Sequence, residues 1–229
     1  MPKLSPRHER VSERGNAFFI ILIGVVLFAA LSFTIARGMR SEGTNNLTKR
    51  QADLAATDII AYGQRLERGI SQLRRKNISE NDISFANTQV AGYAHATPQP
   101  DSSKLFHLSG GAVSWKSPPP KASDGSDWHF TGSTCIAGVG TGSTGCSSDT
   151  TSNEELLAIL PNLTENVCNA LNSRLGISST PTDAGSGYST TKFTGSYADG
   201  TEIIPGTSYG AACFKNGSAF HYYVVLLAR

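Results

Sequence analysis

The sequence has few of the residues on which catalytic and metal sites depend. Charged side chains make up only 17% of the chain, and the five histidines show no metal-ligand spacing. None of the four cysteines belongs to a CxxC pair, which argues against zinc ribbons and thioredoxin-type redox motifs. No Asp or Glu follows Ser208, so the GxSxG match at Gly206–Gly210 lacks the acid that would orient His221 as a base. The sequence therefore predicts no catalytic residue, no metal ligand and no cofactor.

The glycines from Gly140 to Gly145 match the GxGxxG pattern of dinucleotide-binding proteins. In those proteins the glycines open a helix whose N-terminus meets the pyrophosphate. Here the pattern lies between Cys135 and Cys146, and the sequence predicts no helix at Gly145. We interpret the glycines as a flexible loop closed by a disulfide, and we predict neither a nucleotide nor another small-molecule substrate.

The chain contains one long apolar run, Ala17–Ala36. Its twenty residues carry no charge, and as a helix they would span about 30 Å, the hydrocarbon thickness of a bilayer. The run therefore predicts a transmembrane helix over residues 16–40, with the lipid bilayer as a partner. A cleaved secretory signal is the alternative, because Thr34–Ala36 offers small residues before Arg37. The run is longer than the apolar part of most signals, which favours a retained anchor.

Residues 41–80 are predicted to form an amphipathic stem helix after a short polar interruption at Ser41–Asn46. Its apolar residues recur every three or four positions. They are Leu47, Leu54, Ile59, Tyr62, Leu66, Ile70 and Leu73, with Ala55 and Ala56 filling one gap. Lysines and arginines occupy the opposite face of this helix. The apolar stripe needs a cover, which either the following domain or another subunit would supply.

Charge is unevenly divided along the chain. Residues 37–76 hold nine Lys/Arg against four Asp/Glu, whereas residues 77–229 hold seven against twelve. A basic stem and an acidic head would attract each other between neighbouring copies. The alternative is that both are ordinary solvated surfaces. The basic run Arg74–Lys76 would suit anionic lipid, and nucleic acid is not expected as a partner of an exported segment.

Residues 81–229 are predicted to form an extracytoplasmic head domain. Short β-prone runs between turn residues predict strands at 89–93, 104–108, 112–115, 128–136, 192–197 and 201–204. Two short helices are also predicted. The first covers Ser152–Leu160 and starts with a capping box of Ser152 and Glu155. The second covers Thr164–Leu175, with Gly176 placed to end it.

The four cysteines all lie in this head domain, which is typical of disulfides formed in an oxidising compartment. They are Cys135, Cys146, Cys168 and Cys213. An Asn216-Gly217 turn predicts a hairpin of 211–215 with 218–227, which places Cys213 on an apolar strand face. A helix carrying Cys168 would pack there, so we favour the pairs Cys168–Cys213 and Cys135–Cys146 among three connectivities. Disulfides also require the C-terminal domain to lie outside the cytosol.

Together these features predict an α+β fold in four regions. Residues 1–15 are a basic leader, which is either cleaved or retained, and residues 16–40 are the transmembrane helix. This helix continues into the amphipathic stem helix at 41–80. Residues 81–229 are a disulfide-stapled, β-rich head with one or two short helices.

The residues around the start of the apolar run form a distinctive pattern, in which Glu13-Arg14-Gly15 precedes Asn16–Leu22. This pattern resembles the prepilin leader of bacterial type IV pilins and of type II secretion pseudopilins. Those proteins have a short basic leader ending in glycine, a hydrophobic helix with an amphipathic second half, and a β-rich head. The resemblance implies cleavage after Gly15, with Asn16 as the new N-terminus. Mature position 5 is Ile20 here, where pilins usually carry a glutamate.

The resemblance implies a pilin-like or pseudopilin-like structural subunit, not an enzyme. It would be a single-pass protein of the bacterial inner membrane, with a cytoplasmic N-terminus and a periplasmic or extracellular C-terminal domain. Its partners would be copies of itself, through the transmembrane helix, or envelope secretion and pilus proteins. The alternative is a non-polymerising, membrane-anchored envelope binding protein whose loops around Trp115 and Trp128 contact a ligand. A third hypothesis, an envelope hydrolase, has only Ser208 and His221 to support it.

Overall fold

The computed structural model describes residues 14–140, 154–198 and 200–229. The chain divides into two compact units, Met1–Thr48 and Lys49–Arg229. Helix α1 (Arg14–Arg75) begins in the first unit and ends in the second. Its side chains are described for residues 19–28 and 48–75. The second unit also contains a β-sheet and a second α-helix, so the core of the fold lies there.

Helix α1 ends at Arg75 because the residues that follow form a cap. Asn77 has a φ of 61°, a left-handed conformation that asparagine adopts more readily than most residues. The N–H of Ile78 donates to the carbonyl of Leu73 (3.2 Å), and the N–H of Asn77 donates to the carbonyl of Arg74 (3.0 Å). These bonds satisfy carbonyls that the helix end would leave open, and the two arginines of the last turn suit the negative end of the helix dipole.

The predicted transmembrane helix is contradicted by the structure. Among the residues that the structure describes, no helix combines the length and the apolar character that crossing a membrane requires. The predicted location, a single pass through the bacterial inner membrane with a periplasmic or extracellular domain, depended on that helix and is wrong with it.

The predicted stem helix at 41–80 is not a separate element either. Helix α1 continues through the polar residues 41–46, and its C-terminal part belongs to the core of the second unit. At Gly63 an added Cβ would lie 3.4 Å from the hydroxyl of Tyr222, so the sheet packs closely on the helix there. Leu54, which the predicted stripe includes, is 70% exposed. Ala55 and Ala56, which the predicted stripe also includes, are buried together with Ala52, because these small residues allow this close approach.

The second unit is built on a five-stranded sheet with the order β3-β1-β2-β5-β4. The strands are β1 (His129–Ile136), β2 (Glu155–Leu163), β3 (Thr201–Ile203), β4 (Ala211–Asn216) and β5 (Ala219–Leu227). Strand β3 is parallel to β1, and the other neighbouring strands are antiparallel. The second helix is α2 (Glu165–Arg174), and two short 3-10 helices cover Glu80–Asp82 and Asp101–Ser103.

Each face of the sheet contributes to its own apolar cluster. Leu156, Ala158 and Leu160 of β2 belong to the cluster that also contains the C-terminal part of α1 and the buried side of α2. Leu157 and Ile159 belong to the cluster on the opposite face. Strand β2 lies in the middle of the sheet and is therefore buried on both faces.

This two-sided burial explains why the predicted helix at Ser152–Leu160 is wrong. A strand that is buried on both faces is apolar at every position, so its sequence lacks the alternation of a half-exposed strand. The run Leu156–Leu160 is such a strand, whereas Ser152 lies outside the described residues. Pro161 does not end a helix but lies where the pairing of β2 with β5 is irregular, a position at which a sheet tolerates proline.

Four other predicted strands are also wrong. They are 89–93, 104–108, 112–115 and 192–197, which form irregular backbone. Several of their apolar side chains still belong to the core, since Tyr93 and Phe193 are buried beside Phe130 of β1. The N–H of Phe130 donates to the hydroxyl of Tyr93 (3.0 Å). Aromatic residues favour strands chiefly because strands offer half-buried surfaces, and loops packed on a sheet offer the same.

Predictions for the remaining elements are confirmed, with one shift. Strand 128–136 is β1, residues 201–203 form β3, and α2 ends before Gly176, which has a φ of 76°. The predicted hairpin is β4 with β5. Its turn lies one residue later than predicted, because Asn216 pairs with Ala219 and leaves Gly217 and Ser218 between them.

The disulfide Cys168–Cys213 joins α2 to β4, as predicted, with 5.4 Å between the Cα atoms. Both cysteines are fully buried. Cys135 is also disulfide-bonded. Its predicted partner Cys146 lies outside the described residues, so the pair Cys135–Cys146 stays a prediction.

Asn172, one turn of α2 after Cys168, completes the hydrogen bonding of the edge strand β4. Its Nδ2 donates to the carbonyl of Cys213 (2.8 Å), and the N–H of Cys213 donates to its Oδ1 (2.9 Å). The side-chain amide therefore takes the place of a neighbouring strand at this residue. Asn172 is only 2% exposed, so these backbone groups have no access to water in its absence.

Replacing Asn172 with alanine should lower the free energy of unfolding by about 2 kcal/mol, because a buried N–H and a buried carbonyl would lose their partners. Urea denaturation followed by tryptophan fluorescence measures this change. The control is Asn166→Ala, since Asn166 is exposed on the same helix. Equal unfolding midpoints for the two variants would show that the amide of Asn172 does not support β4.

Both outer edges of the sheet are occupied by the segment 181–186. Next to β4, the N–H of Lys215 donates to the carbonyl of Pro181 and the N–H of Asp183 donates to the carbonyl of Lys215, each at 2.8 Å. Next to β3, the N–H of Ser186 donates to the carbonyl of Glu202 (2.9 Å). The two edges are therefore already hydrogen-bonded at these positions within the chain.

Candidate functional site

The most prominent surface feature of the described residues is an exposed apolar segment of α1, residues 19–28, which we call the apolar segment. All ten of its residues are exposed. The large apolar members are 46–74% exposed, and they are Phe19, Ile20, Ile21, Leu22, Ile23, Val25, Val26, Leu27 and Phe28. Ten residues make almost three turns of helix, so apolar side chains cover the helix on every side.

The side chains of the apolar segment can interact only through apolar contact. It contains no group that ionises, donates or accepts through its side chain. A helix that is apolar all round is normally surrounded by other apolar surface, since each Val, Leu, Ile or Phe gains about 1.5–3 kcal/mol from full burial. At Gly24 an added Cβ would meet nothing within 4 Å, which leaves a notch where another helix can approach closely.

The predicted processing residues lie at the beginning of α1. Gly15 and Asn16 are helical, and the leader before Arg14 lies outside the described residues. Ile20, at the place where pilins usually carry a glutamate, is 64% exposed. Cleavage after Gly15 therefore stays a prediction, and Ile20 adds apolar surface where a pilin would add a charge.

Ser208 and His221 are not brought together. Ser208 lies in the loop between β3 and β4, and its hydroxyl donates to the carbonyl of Ala137 (3.4 Å). His221 Nδ1 accepts a hydrogen bond from the N–H of Asn162 (3.2 Å), and its ring lies 5.1 Å from that of Tyr188. Burial lowers the pKa of His221, which keeps the ring neutral near pH 7. In the described part of the chain, this histidine has packing and hydrogen-bonding roles and no serine beside it.

The two tryptophans of the binding-protein hypothesis pack into the core. Trp128 is 2% exposed, with its ring 5.4 Å from that of Tyr62 on α1 and 6.2 Å from that of Tyr222 on β5. Trp115 is partly buried against the same cluster, with its ring 5.3 Å from that of Phe106. Trp128 is therefore closed to a ligand, whereas Trp115 keeps part of its surface exposed.

The remaining sequence motifs give no site in the described residues. Most of the Gly140–Gly145 pattern lies outside them, so its interpretation as a disulfide-closed loop stays a prediction. No group of three or more His, Cys, Asp or Glu side chains within 14–140, 154–198 and 200–229 is placed to hold a metal ion. The histidine His107 lies beside Asp101, 3.4 Å from Nε2 to Oδ2, on the surface.

One buried carboxyl group, that of Glu155, was missed by the sequence analysis. It is fully buried at the start of β2, and its Oε2 accepts a hydrogen bond from the N–H of Ile136 (2.8 Å). Its Oε1 has no hydrogen-bond partner among the described residues. Burial raises the pKa of Glu155 to about 7. The only signal in the sequence is a glutamate directly before an apolar run, which also fits a capping box.

Comparison with known proteins does not assign the chain to a family. No protein-family model, curated protein or solved structure matches it. The class of protein must therefore be argued from the site alone. That site is an apolar, exposed helical segment near one end of α1.

Proposed function

We propose that the protein is a pilin-like structural subunit that associates with copies of itself through the apolar segment. The observation that carries this proposal is the exposure of ten consecutive residues around α1. Covering one side of such a helix would leave the other sides in water. Copies of the same segment supply apolar surface of matching length on several sides, as in a helical bundle.

The state of the sheet edges favours the apolar segment of α1, and not the sheet, as the surface through which copies associate. Strand addition at a sheet edge is the other common way for β-rich subunits to associate. Here the segment 181–186 and Asn172 already bond to the edge strands β3 and β4. A second copy would have to displace these hydrogen bonds to add a strand, whereas association through the apolar segment breaks none of them.

The resemblance to prepilin leaders gives independent support. The pair Arg14-Gly15 directly precedes the apolar residues, and the long helix leads into a disulfide-bonded sheet. In pilins the helices of neighbouring subunits pack against one another. Since Ile20 replaces the usual glutamate, we expect apolar contact to hold the helices here without an ion pair at that position.

The double variant Ile21→Asp/Val25→Asp should abolish self-association. Both side chains are 64% exposed and lie one turn apart on the same side of α1. Placing a carboxylate in an apolar helix contact costs several kcal/mol, so we expect the dissociation constant to rise by about 100-fold or more. Sedimentation velocity of the purified full-length protein measures the association.

The matched control is Leu108→Asp. Leu108 is the most exposed large apolar residue of the second unit, at 85%, and it lies outside the apolar segment. This variant should associate like the unmodified protein. An unmodified protein that stays monomeric at high concentration, or an Ile21→Asp/Val25→Asp variant that still associates, would refute the proposed assembly.

A further inference from the structure

A second surface of the molecule, on the part of α1 that belongs to the second unit, carries unpaired positive charge. Three arginines, Arg65, Arg68 and Arg75, line one side of an open groove together with Gln72. The loop 111–114 forms the opposite side. We call this surface the arginine groove. The arginines lie on one side of the helix over about 15 Å, since each residue rises about 1.5 Å.

The arginines of the groove differ from the other basic residues around them. Arg74 pairs with Glu80 at 3.4 Å, and Lys116 pairs with Asp58 at 3.2 Å. None of the three groove arginines forms an ion pair within the described part of the chain, and no acidic residue lines the groove. Guanidinium groups in this state are available to a carboxylate or phosphate from outside.

The walls of the groove are held in place by close packing. At Gly69 an added Cβ would lie 2.5 Å from Val113 Cγ2, so only glycine lets the loop approach α1 this closely. Gln72 Nε2 and Lys76 Nζ both donate to the carbonyl of Gly110, at 3.0 and 2.8 Å. The loop is thus fastened to the helix at Gly69 and at the residues that follow it, and these contacts hold the wall of the groove in place.

The same chain carries a surface of opposite charge. Residues 77–229 hold twelve Asp/Glu against seven Lys/Arg. Within them, Asp124 and Asp127 are exposed in a loop that follows the rigid run Pro118–Pro120, and neither forms an ion pair in the described residues. Hydrogen bonds from Ser126 and Asn162 lower the pKa of Asp124, so its carboxylate is charged at neutral pH. We call residues 124–127 the acidic loop.

We propose that the arginine groove of one copy receives the acidic loop of a second copy. This inference rests on the proposed function, because it supplies a second contact between subunits that already associate through the apolar segment. The two surfaces have opposite charge, because Asp124 and Asp127 are the acidic residues of the loop and Arg65, Arg68 and Arg75 line the groove.

The symmetry of such a contact suits a structural subunit. The groove and the loop are different parts of the molecule, so a pair in which only one loop is received is head-to-tail and leaves one groove and one loop open. Contacts of this kind continue from copy to copy unless the rotation between subunits closes a ring. A two-fold dimer made through one self-complementary surface would stop at two subunits.

The strength of the contact should depend on salt. Individual exposed ion pairs contribute little, and about 0.5 M salt screens them. Together with the apolar contact, several pairs still add to the overall affinity. We expect the groove contact to weaken by about tenfold between low and high salt, whereas burial of the apolar segment does not weaken with salt.

Photo-crosslinking of the full-length protein tests the proposal directly. A photoreactive amino acid at Ser114, an exposed groove residue, is introduced into protein mixed from ¹⁴N- and ¹⁵N-labelled copies. We expect crosslinks of mixed isotope composition to residues 117–127. The same group at Ser173, exposed on α2, should give no crosslink to that region. Absence of mixed-isotope crosslinks to residues 117–127, or mixed-isotope crosslinks to other surfaces only, would overturn the proposal.

A charge exchange provides a second test. Arg68→Glu alone and Asp127→Lys alone should each weaken association at low salt by about tenfold, and the two together should restore it to within about threefold. Failure of restoration would overturn the contact even if each single variant is weakened. The proposed function fails separately, if Ile21→Asp/Val25→Asp still associates. Binding of polyphosphate to the groove without any crosslink between copies would also count against the inference.

Discussion

Replacing Trp128 with alanine should lower the free energy of unfolding by about 3–5 kcal/mol, as expected for loss of a large buried aromatic side chain. The indole of Trp128 lies between α1 and the sheet, in contact with Tyr62 and Tyr222. Its removal would leave a cavity where the C-terminal part of α1 meets β5. Chemical denaturation followed by far-UV circular dichroism measures the change without relying on the missing tryptophan.

Trp115→Ala is the matched comparison for this prediction. Trp115 is only partly buried and packs at the margin of the same cluster, against Phe106 and Phe130. Its replacement should lower the free energy of unfolding by about 1–2 kcal/mol, because less apolar surface is lost. A Trp128→Ala variant as stable as the unmodified protein would show that this side chain is not part of the core, and would favour the ligand-binding role instead.

The parts of the fold that were predictable from the sequence are those with local signals. The hairpin β4–β5 has an Asn-Gly pair between two apolar runs, and α2 has a glycine directly after its last turn. The bond Cys168–Cys213 followed from these two elements, because the side of β4 that carries Cys213 had to be covered by an apolar helix. Each of these predictions needed information from only a few neighbouring residues.

The parts that were not predictable depend on residues far apart in the chain. Strand β2 is uniformly apolar because other elements cover both of its faces, and its sequence alone does not distinguish it from a buried helix. The exposure of Leu54, which the predicted stripe includes, depends on how closely the sheet approaches α1. A helical periodicity specifies an apolar side, but not which of its residues the partner will cover.

Of the two candidate surfaces, one could be predicted from the sequence and the other could not. The apolar segment was evident from the sequence, although its predicted membrane-spanning role is contradicted. The arginine groove was not predictable, because its second wall is the loop 111–114, some forty residues after Gly69–Arg75 in the chain. The sequence showed the arginines as a basic side of a helix, and only the packing of the loop at Gly69 makes that side a groove.

Replacing Glu155 with glutamine should make the protein more stable than the unmodified chain above pH 7 and equal to it near pH 4. Burial raises the pKa of Glu155 from an ordinary value of 4.5 to about 7. The folded state therefore binds the proton more tightly than the unfolded state. The stabilisation from this proton is fully present below about pH 4.5 and is lost as the pH rises through about 7.

The size of this effect follows from the shift. Each pKa unit corresponds to about 1.4 kcal/mol, so the unmodified protein should lose about 3 kcal/mol of stability between pH 4 and pH 8 through this group. Glutamine resembles the protonated acid, and its carbonyl can still accept the hydrogen bond from the N–H of Ile136. Position 155 of the variant should therefore add no pH dependence to the free energy of unfolding over that range.

Guanidinium chloride denaturation at pH 4, 5, 6, 7 and 8 measures the pH dependence of the free energy of unfolding. The control is Glu165→Gln, because Glu165 is exposed in the first turn of α2. The control should keep the slope of the unmodified protein, and Glu155→Gln should remove most of it. The neighbouring Glu154 raises the pKa of Glu155 further, whereas Arg229 lowers it. If Glu155→Gln and the unmodified chain gave parallel curves, the carboxyl of Glu155 would have to be ionised and solvated in the folded protein, and the start of β2 would not be closed to water.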